Sequence, residues 1–93
     1  MIVGVLEVVF QVPESSSLKD KRQVVRSLKD RIRRKFNVSL AEVEGQENWQ
    51  LCGLAFSMVS SQQAAIEREF QLILDIIDSN PEVRISEHWI DYY

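Results

Sequence analysis

Two segments whose apolar residues recur every three or four positions are set between four β-rich runs, and this order constrains the fold more than any other feature of the chain. From Ile2 to Val12 the run IVGVLEVVFQV is dense in β-branched residues and too short for a core helix, so it reads as a strand. Ile2, Leu6, Val8, Phe10 and Val12 form its heavier face, and Val3, Val5, Glu7, Val9 and Gln11 the lighter, mixed one. Pro13 ends the pairing. Ser17 and Asp20 have the spacing that caps the first amides of a helix, which runs to about Phe36 with Leu18, Val24, Val25, Leu28, Ile32 and Phe36 on one arc. Val38 to Val43 is a second strand, and the polar cluster Glu44 to Asn48 a hairpin loop. Trp49 to Ser60 is a third strand with Cys52, Leu54, Phe56 and Met58 on one side. Gln62 to Ser79 is a second helix through Ile66, Phe70, Ile73, Leu74 and Ile77, stopped by Asn80-Pro81. Val83 to Tyr93 is a fourth strand. Val83, Ile85 and Trp89 are its favoured buried phase, while Ile90 and Tyr92 support the other.

The order is βαββαβ. Right-handed crossovers over each helix produce a ferredoxin-like α+β fold, a four-stranded antiparallel sheet with strands one and three central and both helices on one face. With 93 residues, residues 1–93 form one domain around one core. The same elements could leave an open sheet that a second chain completes. Val3, Val5 and Val9 on the uncovered face are the candidate homodimer interface, against the plainer reading that they are partly shielded within one chain.

Most chemistry is excluded by what the chain lacks. One Cys forms no internal disulfide, the chain does not open on a secretory signal, and no apolar stretch approaches a membrane span, so a reducing cytoplasm is the expected location. Cys52 lies in an apolar run and reads as a buried small hydrophobe, not a nucleophile. Glu87 and His88 alternate across a strand and cannot act together, and His88 is expected to face solvent. A lone His and a lone Cys do not make a metal site. Gly4, Gly45 and Gly53 are isolated, so no phosphate loop or dinucleotide fingerprint exists. The expectation is a non-enzymatic protein with no catalytic residue, metal, cofactor or evident small-molecule substrate.

Charge is the remaining signal. The net charge is −3, yet nine of the 11 basic residues fall between Lys19 and Lys35 against only Asp20 and Asp30, a local balance of +7 on a remainder of −10. Within that segment Lys19, Arg22, Arg26, Lys29 and Arg33 share an arc of about 80° and a stripe about 21 Å long. Such a stripe could meet the phosphates of RNA, supplying affinity and salt dependence but little sequence selection. Alternatively Glu67, Glu69, Asp75 and Asp78 of the second helix, or a partner chain, neutralise it. Base stacking on the open sheet face is not expected, because Phe10 and Phe56 fall on the helix-covered side. Ala65, Leu72 and Ile76 form a minor apolar stripe on the second helix that packs on the first helix or binds a partner. Trp89, Tyr92 and Tyr93 either close the core or anchor a second protomer.

The opening Met1-Ile-Val-Gly-Val-Leu6, the capped Ser17-Leu-Lys-Asp-Lys-Arg22, the helix exit Phe36-Asn-Val-Ser39 with Ala41-Glu-Val43, and Trp49-Gln50 resemble the bacterial YlxP-like family, a family of unknown function. The resemblance runs from Met1 to about Ser60. It implies a ferredoxin-like fold and, because genes of that family often stand beside those for translation and ribosome-maturation factors, a connection to RNA or the ribosomal particle. It implies no catalytic residue.

Overall fold

The computed structural model describes residues 1–93 and contains β1 (Ile2–Gln11), α1 (Leu18–Lys35), β2 (Ser39–Glu44), β3 (Leu51–Ser60), α2 (Gln63–Asp78) and β4 (Arg84–Tyr92). The strands form one antiparallel sheet in the order β2-β3-β1-β4, with β1 and β3 central as the crossover argument requires. The predicted alternation holds along the central strands. Leu6, Val8, Phe10, Cys52, Leu54 and Phe56 are buried, and they form one apolar cluster with Val25, Leu28 and Ile32 of α1 and Ile66, Phe70, Ile73 and Ile77 of α2.

Local chemistry sets the ends of α1. Ser17 is extended, and its Oγ accepts the Asp20 amide at 3.1 Å. The Asp20 carboxylate closes the motif one residue earlier than a standard capping box, accepting from the Ser16 amide at 3.2 Å and the Ser16 hydroxyl at 2.8 Å. These bonds, the hydroxyl first, hold the carboxyl below its ordinary value of 3.8. Phe36 returns to extended backbone while its amide still bonds the Ile32 carbonyl. The other helix approaches the sheet closely because β1 carries a glycine: a Cβ on Gly4 would stand 2.5 Å from Ile66 Cγ2 and 3.1 Å from Phe70 Cε2. On α2, Ile76 of the minor apolar stripe joins the core, Ala65 is half-buried and Leu72 stays exposed.

Strand four resolves its own ambiguity with a bulge. Phe10 pairs with Ile85 and Val9 with Glu87, so Ser86 is the extra residue and the alternation changes phase there. Ile85 before the bulge and Ile90 and Tyr92 after it therefore all pack against the core. The expected phase holds for Val83 and Ile85 but not for Trp89, which moves to the open face opposite Glu7 and is exposed. On that face Val3 and Val5 are half-buried, and Val9, flanked by strands on both sides, is already only 8% exposed in the single chain.

Candidate nucleic-acid interface

Helix α1 turns Lys21, Val25, Leu28 and Ile32 inward, which places the cationic stripe on one flank of the helix and Val24 and Ser27 on the other. Val24 and Ser27 line a groove with Asn80 and Glu82, beyond the end of α2. Lys21 reaches the carbonyls of the β2–β3 connection, and with Val24 and Ser27 toward the residues that follow α2, the stripe lies on the β2–β3 flank of the helix. Lys19, Arg22, Arg26 and Arg33 are exposed, and Lys29 is half-buried along its stem.

Three of the four acids of α2 named as possible neutralisers lie on the side of β4. Glu67 accepts from Gln63 and its charge acts on Tyr92, Asp75 accepts from Gln71, and Asp75 and Asp78 line a groove against β4 with Ile85 and His88. Glu69 is the exception, half-buried on the opposite flank of α2 in line with Ala65 and Ile76. None of the five stripe residues lies in an ion pair within 4.0 Å, and Lys21 is the one basic residue whose side chain makes hydrogen bonds.

Lys21 is the residue that charge counting misplaces. Its side chain is 1% exposed, and Nζ donates to the carbonyls of Gly45 at 2.5 Å, Asn48 at 2.6 Å and Leu51 at 2.9 Å. All three belong to the β2–β3 connection, where Gly45 adopts the left-handed backbone with φ 75°. The solvent-facing balance of the segment is therefore +6, since one of its nine cations is consumed inside. The signal was present in the sequence. Lys21 falls within the apolar arc between Val24 and Ile32, where a lysine must find acceptors. The clamp also explains why β3 begins at Leu51 and not Trp49: Asn48 Oδ1 accepts the amides of Gln50 at 2.8 Å and Leu51 at 3.0 Å, holding the preceding residues in the turn.

The other candidates take structural roles. Cys52 is fully buried, and burial first, then the Glu42 charge, pushes its thiol up to about 12. His88 is exposed on the edge strand. Phe10 and Phe56 lie in the core, so the central strands offer no stacking platform. No three His, Cys, Asp or Glu side chains converge in a way that could hold a metal ion, and no helix is long and apolar enough to cross a membrane.

Comparison with known proteins extends the likeness seen in the sequence. The model of the family described as "Protein of unknown function (DUF503)" matches residues 3–89, from Val3 in β1 to Trp89 in β4. The uncharacterized protein YlxP of Bacillus subtilis is 37% identical over 82 residues, covering 88% of this chain and 89% of that one. Among solved structures, the de novo designed protein Foldit4 superposes with a TM-score of 0.58 at 16% identity, covering 98% of this chain and 96% of its own. The de novo designed protein LFR1 1, described as having a ferredoxin fold, gives 0.51 at 12% identity over 100% and 83%. The designed proteins bear on the fold alone, whereas the family model and the relative from Bacillus subtilis establish descent: this chain is a ferredoxin-like member of the DUF503 family, to which it is joined over nearly its whole length.

Proposed function

We propose that the protein is a non-enzymatic, cytoplasmic accessory factor that binds the phosphate backbone of structured RNA, free or in a ribosomal particle, through Lys19, Arg22, Arg26, Lys29 and Arg33. One observation carries this reading: five cations at helical spacing share the flank of α1 turned away from the acids of α2, and none is engaged by a carboxylate. Four neighbouring pairs along the stripe repel at roughly 0.2–0.5 kcal/mol each. An arrangement that costs stability in the free protein is repaid when an outside polyanion meets it. Confined to one flank of an otherwise acidic chain, the stripe suits a localised contact, not general affinity for polyanions.

The test is binding of a structured RNA as a function of salt, measured by anisotropy, for wild type and for the Arg22→Ala, Arg26→Ala, Arg33→Ala triple variant. Five phosphate contacts imply a log–log slope of about −3.5 to −4.5, a loss of roughly 100- to 500-fold between 50 and 200 mM salt. With two contacts left, the slope of the triple variant falls to about −1.4 to −1.8. Relief of repulsion means that the variant is at least as heat-stable as wild type, which separates lost binding from lost folding. An unchanged slope in a folded triple variant would exclude the stripe.

A second reading rests on the open sheet face, where half-buried Val3 and Val5 adjoin Val59, which is 59% exposed. This face would join two copies of the chain or hold a protein partner, with no nucleic acid involved. Val5→Asp then yields monomers in sedimentation, and a dimer that persists in the variant counts against that face.

A further inference from the structure

The β2–β3 connection carries Trp49, half-exposed at 50%, in a short segment tied down at both ends. Lys21 grips the carbonyls of Asn48 and Leu51 on either side of it. The Gln50 carbonyl accepts the Val12 amide at 2.8 Å, and the Gln50 side chain reaches the Ser15 carbonyl at 3.4 Å. Asn48 in turn bonds the Gly45 carbonyl through its amide at 3.0 Å. Because Lys21 stands in the first turn of α1 between Lys19 and Arg22, these bonds fasten the tryptophan-bearing segment to the end of the helix where the cationic stripe begins. A large aromatic left half in water costs about the burial it forgoes, and holding its backbone in place removes the entropy that binding would otherwise lose.

From this juxtaposition we infer that Trp49 is a stacking surface for an unpaired RNA base, with Lys19 and Arg22 on the phosphates beside it and Lys21 as the positioning residue that presents the loop. The inference rests on the phosphate-binding reading of α1 and narrows its ligand: an RNA with an unpaired nucleotide next to a helical stem, since stacking needs a base face that a closed duplex does not offer. Of the exposed charges near the loop's anchor, Lys19 and Arg22 on α1 favour a nucleic acid over an apolar partner: Asp20 between them is already bound by the Ser16 amide and hydroxyl, and Glu44 and Glu47 precede Asn48 in the loop.

The test uses two fluorescein-labelled RNAs, a hairpin with an adenine-rich loop and the same stem closed as a blunt duplex. Anisotropy is read for wild type, Trp49→Ala, Trp49→Phe and Lys21→Met, together with tryptophan emission in wild type and Trp49→Phe. The expected result is hairpin binding weakened about 5- to 150-fold by Trp49→Ala, less by Trp49→Phe, with duplex binding unchanged. Emission quenched by the hairpin in wild type should be unquenched in Trp49→Phe, where only Trp89 remains. A folded Lys21→Met variant should weaken the hairpin and spare the duplex. Hairpin binding that Trp49→Ala leaves intact, with no quenching, overturns the stacking role while leaving the cationic flank standing. Failure of both RNAs to bind wild type overturns both.

Discussion

Replacing Lys21 by Met keeps most of the volume of the side chain and removes only the ammonium from its cage of carbonyls. At 1% exposure the three bonds to Gly45, Asn48 and Leu51 are shielded from water, and hydrogen bonds to a charged group contribute about 1.5–3 kcal/mol each, or roughly 5–9 kcal/mol together. Those figures are already net of desolvation, and the buried thioether that Met leaves in place of the ammonium offsets part of them. The carbonyls freed in the variant recover part of the remainder by turning to solvent, since the loop around them is exposed. The net loss is about 2–4 kcal/mol, against a total of about 5–14 kcal/mol for a domain of this length. Urea unfolding followed by circular dichroism should show that loss as a lower midpoint with the slope unchanged, and melting should fall by about 10–20 °C. Arg22→Ala, one position along on the exposed side, should stay within about 0.5 kcal/mol of wild type. Hydrogen exchange supplies a local readout, because the amides of Gln50 and Leu51 are held by the turn that Lys21 anchors. A Lys21→Met variant within 0.5 kcal/mol of wild type, with those amides still protected, would refute the reasoning: the carbonyl cage would then be incidental to the fold of the loop.

Gly4→Ala should destabilise the protein by about 1–2 kcal/mol, because the new methyl meets the stiff Ile66 side chain at 2.5 Å and the gain in backbone entropy offsets only part of that overlap; a urea midpoint equal to wild type would mean that α2 shifts freely on β1. Asp20 is held below 3.8 in the folded chain, so its contribution is present above that value and is lost as pH falls through the lower folded value. Melting curves taken on acidification below about pH 3.8 should therefore show wild type converging on Asp20→Asn, and a pH-independent gap between the two would remove the carboxylate from the cap.

The core was legible in the amino-acid order because burial of a sheet face and of a helix flank imposes periods of two and about three and a half. Leu6, Val8 and Phe10 on β1, and Ile66, Phe70, Ile73 and Ile77 on α2, follow from spacing alone, and two such helices among four strands leave few ways to bury both faces at once. The cationic stripe is equally a matter of spacing, since helical rise and twist place Lys19, Arg22, Arg26, Lys29 and Arg33 together whatever surrounds them. Which neighbours those side chains meet is not local. That Glu67, Asp75 and Asp78 of α2 lie on the side of β4, and not of α1, depends on where the crossover sets the helix on the sheet. The bulge at Ser86, which carries Trp89 to the open face while Ile85 and Ile90 both stay inside, depends on the length of β4 pairing against a fixed partner strand. Lys21 shows the division most clearly. The apolar arc of α1 already demanded acceptors for a buried ammonium, but those acceptors are backbone carbonyls more than 20 residues away, and a carbonyl leaves no mark on residue identity; only packing of the hairpin against the helix could supply them.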